Sequence, residues 1–180
     1  SSDSFRMTAD SLTSGTLFKA SSASTAMTGN LAELTLTGNS ASSTGNALAI
    51  NITGLSSSST GLRINNLGTG LAMDISGSVA YRHGADYSTT GVTNDAPFTN
   101  ASLIRLTGVT AQTLTGIGGG ADGKILTIMN ASAATTTLRN QNSGSVASNR
   151  IITGMNADLS ISPDQSVTLM YDSLSSRWRV

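Results

Sequence analysis

Eleven residues, Thr28-Gly29-Asn30-Leu31-Ala32-Glu33-Leu34-Thr35-Leu36-Thr37-Gly38, align without a gap with Thr44-Gly45-Asn46-Ala47-Leu48-Ala49-Ile50-Asn51-Ile52-Thr53-Gly54. Two shorter versions follow at 60–68 and 69–77, each opening with Thr-Gly. Ser/Thr/Asn-rich turns separate several of the copies, and Gly and Asn readily adopt the positive φ angles of tight turns. The repeat therefore predicts a series of short strands. It favours a fibre-like β-protein over an enzyme with a substrate pocket.

Within each copy the large apolar residues occupy every second position. A period of two is typical of a β-strand with one dry face and one wet face. The wet face carries polar residues such as Thr35, Asn51 and Asp74. We therefore predict that residues 1–77 form a repetitive β-shaft with these core side chains: Leu34, Leu36, Leu48, Ile50, Ile52, Leu62, Ile64, Leu71, Met73 and Ile75.

A copy with two or three apolar side chains on one face cannot bury them alone. The copies must stack on one another or pack against another chain. Short strands also leave backbone N–H and C=O groups unpaired at their edges, which favours pairing in trans. Two arrangements stay open: a self-associated fibre, or a single chain coiled into a β-solenoid.

The composition narrows the classes of function. The chain carries 10 basic and 10 acidic residues, and charged residues make up 11% of it. Balanced charge without a Lys/Arg cluster argues against nucleic-acid binding. No stretch approaches the roughly 20 apolar residues of a membrane span, and no leader is expected at Ser1. Cysteine is absent, so disulfides and most zinc sites are excluded.

The pattern changes after Gly77, and we expect an irregular connector over 78–101. Beyond it, short apolar runs recur between turn residues and predict a β-sandwich or jelly-roll-like head over 102–180. The final two runs flank a short turn and predict a closing hairpin. The predicted strands are 102–107, 111–115, 124–130, 134–139, 149–153, 158–162, 166–172 and 176–180.

The repeat followed by these strands resembles bacteriophage tail fibres and related virion fibres. In the head the resemblance rests on Asp122-Gly123-Lys124-Ile125-Leu126-Thr127-Ile128-Met129-Asn130, then Ser148-Asn149-Arg150-Ile151, Val167-Thr168-Leu169-Met170-Tyr171-Asp172 and Arg177-Trp178. The resemblance implies an all-β homotrimer with a triple-stranded β-helix-like shaft, located at the virion surface or extracellularly. It also implies other virion proteins and a cell-surface glycan or protein receptor as partners.

Few residues suit catalysis or metal binding. His83 is the sole histidine, and without cysteine it cannot complete a structural zinc set. The acidic residues are scattered without the Asp-x-Asp-x-Asp spacing of a calcium loop. The glycines at 118–120 lack the Lys-Ser/Thr ending of a phosphate-binding loop and predict a turn. We therefore expect no enzyme, no cofactor and no metal.

Aromatic residues suggest where a ligand could bind, because an exposed ring offers the flat apolar face that sugars contact. Tyr81 and Tyr87 flank Arg82 and His83, and these four residues are the candidate receptor site. Trp178, in the final hairpin, is better interpreted as core. The leading hypothesis is an adhesive virion fibre acting by avidity. The alternatives are a passive structural fibre or cellular surface filament without a ligand, and a glycan-cleaving tailspike.

Overall fold

A computed structural model of the protein divides the chain into two units, Ser1–Asp74 and Ile75–Val180. The protein is all-β and contains a β-solenoid of about 4 turns. The strands assigned in the described residues lie in the second unit. The structure describes residues 5–9, 12, 14–24, 28–37, 44, 46–53, 59–98 and 100–180.

In the described part of the repeat, the large apolar side chains are exposed to solvent in the single chain. The ten side chains predicted as the shaft core are all exposed, from 46% for Ile52 to 78% for Leu71. No strand is assigned in the described residues that precede Tyr87. A strand requires a partner for its backbone N–H and C=O groups. Parts of the repeat, including Gly38, Gly45 and Gly54, lie outside the described residues.

The second unit forms two sheets from ten short strands. A one-turn 3-10 helix, Ala147–Asn149, precedes the seventh strand. The strands are β1 (Tyr87–Ser88), β2 (Val92–Thr93), β3 (Leu103–Thr107), β4 (Gln112–Leu114), β5 (Ile125–Asn130), β6 (Thr136–Leu138), β7 (Ile151–Ile152), β8 (Leu159–Ile161), β9 (Ser166–Asp172) and β10 (Arg177–Arg179).

Parallel pairing winds the first six strands into the solenoid. In one sheet β1, β3 and β5 pair in parallel, and in the other β2, β4 and β6 do the same. Leu103 lies opposite Thr127 and Gln112 lies opposite Thr136, so both sheets advance by the same number of residues between these turns. Successive turns of the chain thus stack directly on one another.

Antiparallel strands close the C-terminal side of this winding. β8 pairs with β6, while β9 pairs with β5 on one side and with β10 on the other. β10 also pairs in parallel with β7. The result is a six-stranded sheet, in the order β1-β3-β5-β9-β10-β7, and a four-stranded sheet, in the order β2-β4-β6-β8.

Alternating side chains from both sheets form the core. In β5, Leu126 and Ile128 are fully buried, while Ile125 and Met129 point outward. Trp178 is fully buried, and its indole N–H donates to the Ile117 carbonyl at 2.8 Å. The Tyr171 ring meets the indole edge to face at 5.3 Å. The core interpretation of Trp178 is therefore confirmed.

The structure confirms the positions of the eight predicted strands and the antiparallel final hairpin. It differs in pairing, because β3 pairs in parallel with β5 and β4 pairs in parallel with β6. Such parallel pairing is typical of a solenoid and not of an antiparallel sandwich. It also places β1, β2 and the buried Phe98 in the first turn of the solenoid, where we expected an irregular connector. Strand position is a local property, whereas pairing depends on distant residues.

Candidate functional surfaces of the second unit

A groove of about 580 Å³ lies beside the six-stranded sheet. It is lined by the segment 79–81 and by residues of β3, β5 and the loops before them. The Tyr81 side chain is 73% exposed. The lining has no charged side chain: Val79, Ala80, Tyr81, Ser102, Leu103, Gly123, Ile125 and Thr127. The groove can therefore contact an apolar or hydroxylated surface but offers no charge to an ionic ligand.

The four candidate receptor residues do not share one environment. Tyr81, Arg82 and His83 are exposed, but Tyr87 turns toward the core. Its hydroxyl lies 3.0 Å from the Thr93 hydroxyl, and its ring meets Phe98 edge to face at 5.2 Å. Of the four residues, the segment 81–83 is therefore the solvent-accessible part, while Tyr87 supports the first turn of the solenoid.

His83 belongs to a small exposed polar group. Its Nδ1 lies 2.6 Å from the Gly84 carbonyl oxygen, to which it donates in the tautomer with a proton on Nδ1, and 3.6 Å from Asp86 Oδ1. Asp86 also accepts a hydrogen bond of 2.8 Å from Arg105. A His–Asp–Arg group of this kind positions a loop, and none of its three members is a hydroxyl or thiol nucleophile.

The outer face of the six-stranded sheet carries three exposed apolar side chains on its two central strands. On the adjacent strands β5 and β9, Ile125 lies opposite Met170, and both side chains are about half exposed, at 50% and 51%. Met129 is 39% exposed. Between them the hydroxyls of Thr127 and Thr168 form a hydrogen bond of 2.9 Å. We call the outward side chains of these two strands the β5–β9 face: Ile125, Thr127, Met129, Ser166, Thr168 and Met170.

The outer face of the four-stranded sheet has a different chemistry. Thr113, Thr137 and Ser160 lie in register across β4, β6 and β8. We call these three residues the hydroxyl face. Val92 on β2 extends the row and is 71% exposed. The outward row of this sheet thus consists of three hydroxyl side chains and one valine, whereas the β5–β9 face mixes three apolar side chains with three hydroxyls.

Ion pairs flank the β5–β9 face. Arg105 pairs with Asp86 at 2.8 Å on one side, and Arg179 pairs with Asp172 at 2.9 Å on the other. Hydrogen bonds from the Ser175 hydroxyl and from Arg179 lower the pKa of Asp172 to about 2. Asp172 is therefore ionised at neutral pH, and its charge is balanced within the chain.

Lys124 connects the glycine turn to the core. Its Nζ donates to the carbonyl oxygens of Phe98 and Gly119, at 3.2 and 3.0 Å, and lies 5.8 Å from the centre of the Trp178 ring. Burial lowers the pKa of this amine. The turn predicted in this glycine-rich stretch lies at Asp122–Gly123, where the Lys124 N–H donates to the Ala121 carbonyl at 2.8 Å; Gly119 before it has a φ of 73°, which suits glycine.

Sequence reasoning missed two polar side chains that are buried in the solenoid. Gln112 is 1% exposed and donates to the Gly91 carbonyl at 2.6 Å. Asn130 is fully buried and donates to the carbonyls of Ala134 and Ile161, both at 2.9 Å. Asn130 begins an Asn-x-Ser triplet, but in this fold its amide is engaged internally and cannot serve as a glycan acceptor. The two-residue period was the signal that could have placed them inside, because Gln112 is in phase with the buried Leu114, and Asn130 with Leu126 and Ile128.

The sequence analysis also missed the β5–β9 face, although a signal was present. Ile125, Leu126, Ile128 and Met129 form a nearly continuous apolar run. Such a run marks a strand with apolar side chains on both faces, not one face dry and one wet. This is the feature that could have located the exposed patch.

Among the residues that the structure describes, no group of three or more His, Asp or Glu side chains is arranged to hold a metal ion. Within the same described ranges, no helix has the length and apolar character to cross a membrane. No protein-family model matches the chain, and neither the curated proteins nor the solved structures give a match. The resemblance to virion fibres therefore stays a prediction.

Proposed function

We propose that the protein is a non-enzymatic structural and adhesive fibre component of the virion type, which assembles from several copies of this chain. The supporting observation is the exposure of all ten alternating apolar side chains of the repeat, at 46% to 78% in the single chain. Burying one such side chain stabilises a protein by about 1.5–3 kcal/mol. A second chain would supply the dry face and the edge partners that the described residues of the single chain do not provide.

The proposed stoichiometry is a homotrimer, as the resemblance to virion fibres implies. Three repeats arranged around a common axis would direct Leu48, Ile50 and Ile52 inward. Three copies of the second unit on one stalk would convert weak individual contacts into firm attachment. The proposed location is the virion surface, and the proposed partner is a cell-surface glycan or protein.

Light scattering on the full chain at micromolar concentration tests the assembly. We expect the mass of three chains, and an Ile50→Asn/Ile52→Asn variant is expected to lose it. Leu67→Asn is the matched control, because Leu67 is 92% exposed and lies outside the ten alternating positions. A wild-type mass of one chain at every concentration would refute the proposal.

Adhesion is tested separately at residues 81–83. Tyr81→Ala and Arg82→Ala are expected to reduce binding to host cells or glycan arrays by about tenfold, since a hot-spot ring contributes more than about 1 kcal/mol. Tyr87→Phe is the control, because it retains the ring packed on Phe98. Unchanged attachment by the Tyr81→Ala/Arg82→Ala double variant would exclude this segment as the receptor site.

A further inference from the structure

The segment that leads into β1 lies beside the six-stranded sheet without joining it. We call residues 78–83 the strap. All of its residues are exposed, and within the described part of the chain none of them belongs to a strand or makes a backbone–backbone hydrogen bond. Unpaired backbone N–H and C=O groups can add to the edge of a neighbouring strand. The strap is therefore able to pair with any strand edge that it reaches.

The C-terminal end of the strap is fixed to β3. The Gly84 N–H donates to the Leu103 carbonyl at 3.0 Å. Further along, β1 pairs in parallel with β3, with Tyr87 opposite Leu106. A Cβ at Gly84 would lie 3.0 Å from the Ala101 Cβ, so the chain approaches the sheet closely at this glycine. The strap is thus tethered at the point where it would enter the sheet.

The edge of β3 next to this tether can extend the pairing. In a strand the N–H and C=O of one residue point to the same side. Because the Leu103 carbonyl faces Gly84, the Leu103 N–H points toward the strap as well. On its other side β3 is paired with β5. Hydrogen bonding can therefore continue from Gly84 into the strap, in the parallel sense that β1 already sets.

The strap and the sheet line the same groove of about 580 Å³, and both contribute apolar side chains to it. The strap contributes Val79 and Tyr81, which are 54% and 73% exposed. The sheet contributes Leu103 and Ile125, and Ile125 is 50% exposed. None of the described residues that line the groove carries a charge that closure would have to desolvate. Closing the groove therefore removes apolar surface of both segments from water.

We propose that the strap closes over this groove by pairing with β3, and that it opens to expose the Tyr81 ring. Closure buries Val79 and Tyr81 against Leu103 and Ile125 and adds backbone hydrogen bonds, but it also orders the strap. These opposing free energies are of the same order, so the two arrangements lie close in free energy. A ligand that binds the open groove shifts the equilibrium toward it. The device needs only one chain and does not depend on the proposed fibre assembly.

Single-thiol variants of the full chain test the closure, because the chain has no native cysteine. Thr127→Cys places a thiol in the groove, and Thr137→Cys is the matched control, since it replaces a half-buried threonine that points outward from the other sheet. Each thiol is combined with the native strap and with a Val79→Ser/Tyr81→Ser strap. Maleimide labelling rates are measured in dilute protein. Fluorescence of Trp178, the sole tryptophan, checks that each variant is folded.

We expect the native strap to slow labelling at Thr127→Cys about threefold relative to the Val79→Ser/Tyr81→Ser strap, which corresponds to a strap that is closed about two thirds of the time. Labelling at Thr137→Cys should be the same with both straps. Equal rates at Thr127→Cys with the two straps would overturn the proposal. An equal acceleration of both thiols would also overturn it, because it would show a general loosening of the solenoid. Neither result bears on the fibre assembly, which light scattering tests separately.

Discussion

The repeat at 28–76 and the strands at 103–172 carry the same two-residue alternation of apolar side chains, yet among the residues that the structure describes only the second set is buried within the chain. Leu48 in the repeat is 60% exposed, whereas Leu126 in β5 is fully buried. In the second unit the parallel turns of the solenoid stack on one another and antiparallel strands close one side. Alternation therefore predicts which side chains need to be buried. It does not say whether the same chain or another copy buries them.

The comparison of the two leucines gives the largest expected effect. Leu126→Ala should reduce the free energy of unfolding of the second unit by about 2–5 kcal/mol, because it leaves a cavity in a closed core. Leu48→Ala, measured in dilute protein, should change it by less than about 0.5 kcal/mol. Urea unfolding followed by Trp178 fluorescence measures both. Equal losses for the two variants would mean that the repeat shares the core of the second unit.

Glycine substitutions sharpen the same comparison. A Cβ at Gly120 would lie 2.1 Å from Tyr171 Cε2, whereas one at Gly29 would have no heavy atom within 4 Å. We expect Gly120→Ala to cost about 1–3 kcal/mol through overpacking. Gly29→Ala should stay within about 0.5 kcal/mol in the dilute chain. A neutral Gly120→Ala variant would show that Tyr171 does not pack against the glycine turn.

Acid sensitivity gives the smallest effect. Hydrogen bonds from Ser175 and Arg179 hold the pKa of Asp172 at about 2, below its usual value. A depressed pKa means that the folded state favours the carboxylate. Its contribution to stability is complete above the unfolded pKa of about 3.9 and is lost as the pH falls through about 2.

The test compares two carboxylates whose pKa values are both lowered by local hydrogen bonds. Asn30 and Thr35 lower the pKa of Glu33 in the repeat. Urea midpoints of the second unit between pH 5 and pH 2 should fall less steeply in Asp172→Asn than in the wild type. Glu33→Gln should behave as the wild type does. Parallel pH curves for all three proteins would refute the role given to Asp172.

The sequence predicted the positions of the strands in the second unit because the two-residue alternation of apolar side chains is visible within a short run, as from Ile125 to Asn130. It did not predict that β3 and β5 pair in parallel, since this requires residues about two dozen positions apart to meet. Nor did it place Phe98 in the core, because one apolar residue after Pro97 carries no periodic signal. Chain position alone also gave no sign that Tyr87 would turn inward while Tyr81 stayed exposed.

Hydrogen exchange on the full chain, compared at dilute and assembling concentrations, tests the central claim most directly. We predict that amides of β3, β5 and β9 are protected at both concentrations, because their partners lie within the chain. Amides of residues 46–53 and 60–76 should gain protection only on assembly. Protection of the repeat in the monomer, or its continued rapid exchange in the assembled protein, would contradict the claim that other copies of the chain bury it.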